Sequence, residues 1–268
     1  MTKMKLRGAI PPMMTPFNEN EDVDYDAHVE NLKRWNDTKL SGYLVLGSNS
    51  ETAYLNEKEK IKLMELTVRH AKSDRFLLAG TGMESVRETV AFTNLAAGIG
   101  IQGALVLTPS YYHGEMNDGA QINFFTRVAD ESKIPIFIYN VTKFTHINVS
   151  PGVVGELSRH PNIVGIKDST GNVPQLVDFK RVMAENFNLM SGTISSWFPA
   201  LTLGVTAGIF ALANCAPDEC AAVQDAFEEG NIDRARSIYE RIFPVNTAVT
   251  GTFGIAGLKY ASDLLGYR

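Results

Sequence analysis

A chain of 268 residues is long for an ordinary domain but of usual size for one α/β barrel, so length alone forces no boundary. Apolar residues make up 44% and charged residues 21%, without any low-complexity tract, which excludes a disordered or fibrous protein. A net charge of −5 with no Lys/Arg cluster among aromatics argues against a nucleic-acid partner, and no apolar run has the length of a membrane span.

The basic N-terminus leads into Gly8 and Pro11-Pro12 instead of an apolar run, so no secretion signal is visible. Cys215 and Cys220 are too few and too close for a disulfide framework and read as packed or surface thiols of a cytoplasmic protein. Strand-like runs then alternate with helix-like segments. Residues 8–14 form the first run, and 24–39 a helix with Val29, Leu32 and Trp35 spaced three apart. Residues 43–46 precede a helix capped by Asn56 and running to Ala71, with Glu57 and Glu59 in its first turn. Run 76–79 precedes helix 84–97, and run 104–107 precedes a long loop and helix 118–131. Run 134–139 precedes a short helix from Pro151, run 163–166 precedes helix 173–184, and a run ending at 189–191 precedes helix 197–203. Run 208–212 precedes helix 218–229.

Eight such pairs predict a closed (β/α)8 TIM barrel over residues 1–229, with an open doubly wound sheet as runner-up. Helices at 232–243 and 253–264 make residues 230–268 a C-terminal extension packed on the barrel, suited to packing or oligomer contact.

Active sites of this fold sit at the C-terminal strand ends. Lys167 ends the aliphatic run Ile163-Val164-Gly165-Ile166, where burial would strip its proton and make it a nucleophile able to form an imine. The plainer alternative is a lysine that reaches past the strand end to solvent. Tyr139 ends the preceding run, as a core residue with a wet tip or a proton relay. Gly47-Ser48-Asn49-Ser50-Glu51 is a turn that could also present N–H groups and hydroxyls to a carboxylate. Reaction through a lysine imine requires no metal and no histidine pair has metal-ligand spacing, so no metal or other cofactor is expected. His28, His70 and His160 read as surface residues, whereas His113 and His146 fall in loops of the active face.

Pro11-Pro12 with Thr15-Pro16-Phe17, Gly47-Ser48-Asn49-Ser50-Glu51, Thr108-Pro109 with Tyr111-Tyr112, Tyr139-Asn140-Val141 and Gly165-Ile166-Lys167-Asp168-Ser169 occur in one order across nearly the whole chain. In this the chain resembles the dihydrodipicolinate synthase / N-acetylneuraminate lyase superfamily of pyruvate-dependent class I aldolases. Within it, Ser48-Asn49, the inserted Ser110, His160-Pro161-Asn162 and Phe253-Gly254-Ile255-Ala256-Gly257-Leu258-Lys259 look like the 4-hydroxy-2-oxoglutarate aldolase type. The resemblance implies that Lys167 condenses with a 2-oxo acid, that Tyr139 relays the proton, and that Tyr111 completes the relay across a subunit interface. It further implies that Ser48 and Asn49 hold the pyruvate carboxylate, that Ser169 contacts a second polar group of the substrate, and that the protein is a homo-oligomer, a tetramer or dimer.

The implied reaction is lysis of a 4-hydroxy-2-oxo acid, 4-hydroxy-2-oxoglutarate foremost, to pyruvate and a small aldehyde such as glyoxylate. The alternatives are an imine-forming dehydratase or condensing synthase on another 2-oxo acid, including a dihydrodipicolinate synthase-like reaction, and a non-catalytic 2-oxo-acid-binding barrel. Departures from the pattern fall after Tyr139, where the arginine that binds a substrate carboxylate in the synthases is replaced by Phe144, with Lys143 and His146 as substitute cations. Ser50 stands where the family has glycine and is expected to alter the backbone of that loop.

Overall fold

The computed structural model describes residues 5–268. In chain order they form β1 (Gly8–Ile10), α1 (Tyr25–Asn36), β2 (Gly42–Val45), α2 (Glu57–His70), β3 (Phe76–Gly80), α3 (Val86–Ile99), β4 (Gly103–Leu107) and α4 (Asp118–Glu131). There follow β5 (Ile136–Asn140), α5 (Thr142–Thr145), α6 (Pro151–Leu157), β6 (Ile163–Asp168), α7 (Val173–Val182), β7 (Asn188–Ser191), α8 (Trp197–Thr202), β8 (Ala207–Ile209), α9 (Pro217–Glu228), α10 (Ile232–Asn246) and α11 (Gly254–Leu264). The strands form one sheet of eight in the order β1-β8-β7-β6-β5-β4-β3-β2. Its two end strands meet, since Leu44 N–H donates to Pro11 O at 3.0 Å and Met13 N–H to Leu44 O at 2.9 Å. The fold is the (β/α)8 barrel.

Helix starts are written locally. Asp24 accepts from Ala27 N–H, Asn56 and Glu59 form a reciprocal capping box, Asn117 accepts from Ala120 N–H, and Ser150 caps a helix whose first residue is Pro151. Each such cap contributes about 1 kcal/mol and fixes where the preceding loop must stop. Prolines shorten strands. The run read over 8–14 keeps only Gly8–Ile10 because Pro11 and Pro12 have no N–H for a ladder, and Pro135 delays the fifth strand to Ile136.

The chain divides into two compact units. One, residues 80–208 with the residues before Gly8, holds β4 to β7. Strands β5, β6 and β7 are buried throughout: Tyr139 pairs with Lys167 and Asn140 with Asp168, while Lys167 and Asp168 pair in turn with Met190 and Ser191. Gly165 is obligatory there, because a Cβ would come within 2.7 Å of both the Phe137 ring and Asn188 O.

The other unit, residues 8–79 and 209–268, holds β1 to β3 and the C-terminal helices. Buried Asn214 ties its loops together, accepting from Met14 N–H and donating to Pro12 O, while its own carbonyl accepts from Trp35 Nε1. The chain's last residues lie on α1. Arg34 donates to the carbonyls of Leu265 and Gly266, and the Tyr267 ring stacks on Trp35 with centroids 5.6 Å apart.

The surface reading of His28 is corrected here. It is 1% exposed, with Nε2 3.0 Å from Thr67 Oγ1, and burial lowers its pKa from 6.5 to about 4. The buried stripe of α1 is Ala27, His28, Asn31, Leu32 and Trp35, so His28 stands four residues before Leu32 on the inward face while Val29 lies at its edge.

Candidate active site

A parallel ladder that aligns Tyr139 with Lys167 also makes their side chains share a face, and by alternation sends Asn140 and Asp168 to the opposite one. Lys167 is 3% exposed and its Nζ lies 4.2 Å from the centroid of the Tyr139 ring. The reading in which this lysine reaches solvent is thereby excluded. Desolvation lowers its pKa, against an opposing contribution from Tyr139. Magnitudes decide the sign: burying an ammonium costs several kcal/mol, whereas a desolvated cation–π contact returns about 2 kcal/mol. Burial thus shifts this side chain toward the neutral amine, the nucleophilic form.

Behind that pair stands a buried polar network that the sequence reading missed. Asp168, 1% exposed, accepts from Asn140 Nδ2 at 2.7 Å, Thr170 Oγ1 at 2.6 Å and Gln175 Nε2 at 3.1 Å. Burial raises its pKa although these three donors oppose the shift. Asn140 also donates to Asn148 Oδ1 and accepts from Val149 N–H, and Asn148 and Gln175 bond to each other. The network joins the ends of β5 and β6 to the loop before α6 and to the first turn of α7. Its signal in the sequence was a carboxylate directly after the lysine, at a strand position whose side chain must face the helices.

Ser169 follows the strand and its N–H donates to Asn140 O at 3.0 Å. Its hydroxyl lies over Gly192, where an added Cβ would fall 2.0 Å from Ser169 Oγ. Ser169 is thus brought beside the end of β7, next to the lysine.

The loop residues behave differently. Tyr111 is 76% exposed with its ring edge-on to Tyr112, so this chain does not bury it with Tyr139 and Lys167. Its backbone is held, since the N–H groups of Ser110 and Tyr111 both donate to the Glu84 carboxylate, at 3.0 and 3.1 Å. Residues read as loop after β5 wind into α5, which presents Lys143 and Phe144 outward. His146 ends α5 in left-handed backbone, φ 56°, with its ring 6.2 Å from that of His113.

In the other unit, Ser48 and Asn49 are half-buried in one turn of 3-10 helix after β2. Ser50, the residue expected to alter the backbone of this loop, does not itself adopt left-handed backbone, although a residue on either side of it does. The left-handed residues are Leu46 and Glu51, φ 59° and 54°, and Ser50 instead braces the turn, its Oγ donating to Met13 O and accepting from Gly47 N–H.

Among the described residues no group of three or more His, Cys, Asp or Glu could hold a metal ion, and no helix is long and apolar enough to cross a membrane. A cavity of about 190 Å3 beside Lys5, Lys180 and Asn186, at the start of β7, shares no residue with the lysine and tyrosine pair.

Comparison with known proteins extends the pattern to the whole chain. Residues 5–268 match the family described as the dihydrodipicolinate synthetase family. A protein of Methanothrix thermoacetophila named 4-hydroxy-tetrahydrodipicolinate synthase is 34% identical over 97% of this chain and 87% of its own length. The crystal structure of dihydrodipicolinate synthase from Aquifex aeolicus superposes with a TM-score of 0.86 at 31% identity, covering 91% of this chain and 83% of that one. A prophage protein of the dihydrodipicolinic acid synthase family from Escherichia coli, solved in complex with pyruvate, superposes with a TM-score of 0.91 at 25% identity, covering 98% and 89%.

Proposed function

Because the chain belongs to the dihydrodipicolinate synthetase family, we propose that it holds pyruvate as an imine on Lys167 and couples the derived enamine to an aldehyde. The observation that carries the reading is a fully buried lysine, its pKa lowered by desolvation, set against the ring of Tyr139 at a barrel strand's C-terminal end.

The neutral Nζ adds to the ketone carbon, and the ketone oxygen leaves as water with one amine proton and one proton taken from solvent, so that the imine formed on Lys167 keeps a proton on nitrogen. Loss of a proton from the methyl carbon to solvent gives the enamine, which bonds through that carbon to the aldehyde. The aldehyde oxygen takes the Tyr139 hydroxyl proton, which solvent replaces, and hydrolysis of the imine frees the product and Lys167. Ser48 and Asn49 are assigned the pyruvate carboxylate, Ser169 a second polar group of the substrate, and Tyr111 a part in the proton relay from a neighbouring subunit of an oligomer. For Tyr111 the support is its exposure, which leaves it free to meet another chain, and the clamp of Glu84 on its backbone.

The condensing reaction, dihydrodipicolinate synthase-like, takes precedence over cleavage of 4-hydroxy-2-oxoglutarate because the similar proteins carry the synthase name. The aldolase remains the second reading, favoured by Phe144, 49% exposed at the position expected to hold an arginine. The test is acceptor choice with pyruvate present: glyoxylate against a four-carbon 2-amino-4-oxo acid, the piece left when pyruvate's three carbons are taken from a tetrahydrodipicolinate. We expect at least ~10-fold higher kcat/KM for the amino acid aldehyde, a difference of about 1.4 kcal/mol. Preference for glyoxylate reverses the order of the two readings.

A further inference from the structure

The turn assigned to the substrate carboxylate is gripped by a side chain from the other end of the sequence. Glu51 closes that turn in left-handed backbone, a region that suits glycine and that few other residues adopt. Lys259 of α11 pairs with it, Nζ to Oε1 2.5 Å, and the two side chains are only 27% and 19% exposed. The same ammonium sits 4.4 Å from the centroid of the Phe17 ring.

From the opposite side the loop after β1 holds the turn, through Ser50 Oγ on Met13 O and Thr15 Oγ1 on Ser50 O. The helix that supplies Lys259 is itself set tightly. Gly257 lets α11 close on the preceding π-helical turn, since a Cβ there would meet Phe253 Cβ at 2.3 Å, and Leu258 beside it is fully buried. A solvent-exposed ion pair would add little. One mostly out of water, with its cation also on an aromatic face, holds its geometry more firmly.

The position of the pair gives it a second consequence. Glu51 is two residues from Asn49, so an unpaired carboxylate would stand beside a bound anion and repel it. We propose that Lys259 is a positioning residue for the 2-oxo-acid carboxylate: it fixes the Ser48–Asn49 turn through Glu51 and cancels the Glu51 charge. The inference rests on the assignment of Ser48 and Asn49 made above. It gives the C-terminal helix a part in substrate binding besides packing.

The test uses the full chain with Lys259→Met, Lys259→Arg, Glu51→Gln and the double change Glu51→Gln with Lys259→Met. Borohydride-trapped adduct is measured against pyruvate concentration. Lys259→Met is expected to raise the half-saturating concentration about 10-fold, about 1.4 kcal/mol, while the rate at saturation stays within about twofold. Lys259→Arg should stay within about threefold of wild type, and the double variant should be less impaired than Lys259→Met because no bare carboxylate remains. Hydrogen exchange at the Ser50 and Glu51 amides, which donate to Gly47 O and Ser48 O, should quicken about fivefold or more in Lys259→Met.

Unchanged half-saturation overturns the proposal, whatever the exchange shows. So does an equal fall in the saturating rate that arginine does not restore. Should Lys259→Met not fold, Glu51→Gln carries the test with an expected rise of about threefold, and no rise overturns it. A wild-type protein that forms no adduct at all sinks the functional reading instead, which separates the two failures.

Discussion

The end of β5 and the helix α5 are one residue apart in sequence, and the physics of the paired β5 and β6 ends is opposite to that of the helix. Tyr139, Asn140, Lys167 and Asp168 are buried, paired in register and backed by hydrogen bonds that use both amide hydrogens and the oxygen of Asn140. Lys143, Phe144 and His146 are exposed, Lys143 lying over the Phe144 ring at 5.8 Å and the His146 ring 6.2 Å from that of His113. Chemistry that requires a shifted pKa has to be placed in the first kind of environment, because only burial moves an amine far. Choice of the second substrate belongs in the second, where side chains change without breaking the barrel.

The contrast can be broken most severely at Lys167. Replacement by Met should abolish the adduct and lower turnover more than about 1,000-fold. The denaturation midpoint should hold or rise, since a costly buried amine is removed. The pH behaviour follows from the sign of the shift. The folded pKa lies below 10.5, so over the interval beneath 10.5 the unfolded chain binds a proton that the native one does not. Stability from this group is therefore lost as pH falls through that interval, and Lys167→Met should flatten the loss.

Asp168→Asn tests the backing network. An amide offers one acceptor and two donors to a place where three donors converge. We expect about 3 kcal/mol lost in denaturant unfolding, with a smaller, roughly 10-fold, fall in adduct formation. His28 is a reference titration outside both regions. Its folded pKa of about 4 against 6.5 means that its stability is present above 6.5 and declines below it, by about 2 kcal/mol at pH 5. His28→Leu should remove that acid-side loss without touching adduct formation. Smallest is the rim: Lys143→Ala and His146→Ala should leave pyruvate binding unchanged and raise the KM of the acceptor aldehyde by about three- to tenfold, and equal effects on both substrates would erase the distinction drawn here.

Much of the barrel could be read in the residues. Asp118–Glu131 is the helix the sequence predicts, and Asn56 caps α2 as expected, with Glu59 completing a capping box that the sequence reading did not include. The strand Ile163-Val164-Gly165-Ile166 marked Lys167 but left it open between a buried nucleophile and a lysine reaching solvent, and its burial decides between them. Less was legible where side chains act through distant partners. Nothing local shows that Asn140 and Gln175 converge on Asp168, or that Lys259 reaches Glu51 across more than two hundred residues. His28 was missed because its ring satisfies one nitrogen on Thr67 of another helix, a contact no single-helix pattern reveals. At Ser50 the residue type marked a departure from glycine but not its form: the left-handed residue is its neighbour Glu51, and Ser50 holds the turn through its hydroxyl.

Incubation of the wild-type protein with pyruvate and borohydride, followed by intact mass and peptide mapping, tests the central claim most directly. The account predicts one reduced pyruvate adduct per chain, on Lys167, formed at neutral pH and absent from Lys167→Met. No adduct, or an adduct spread over surface lysines with Lys167 unmodified, would contradict it.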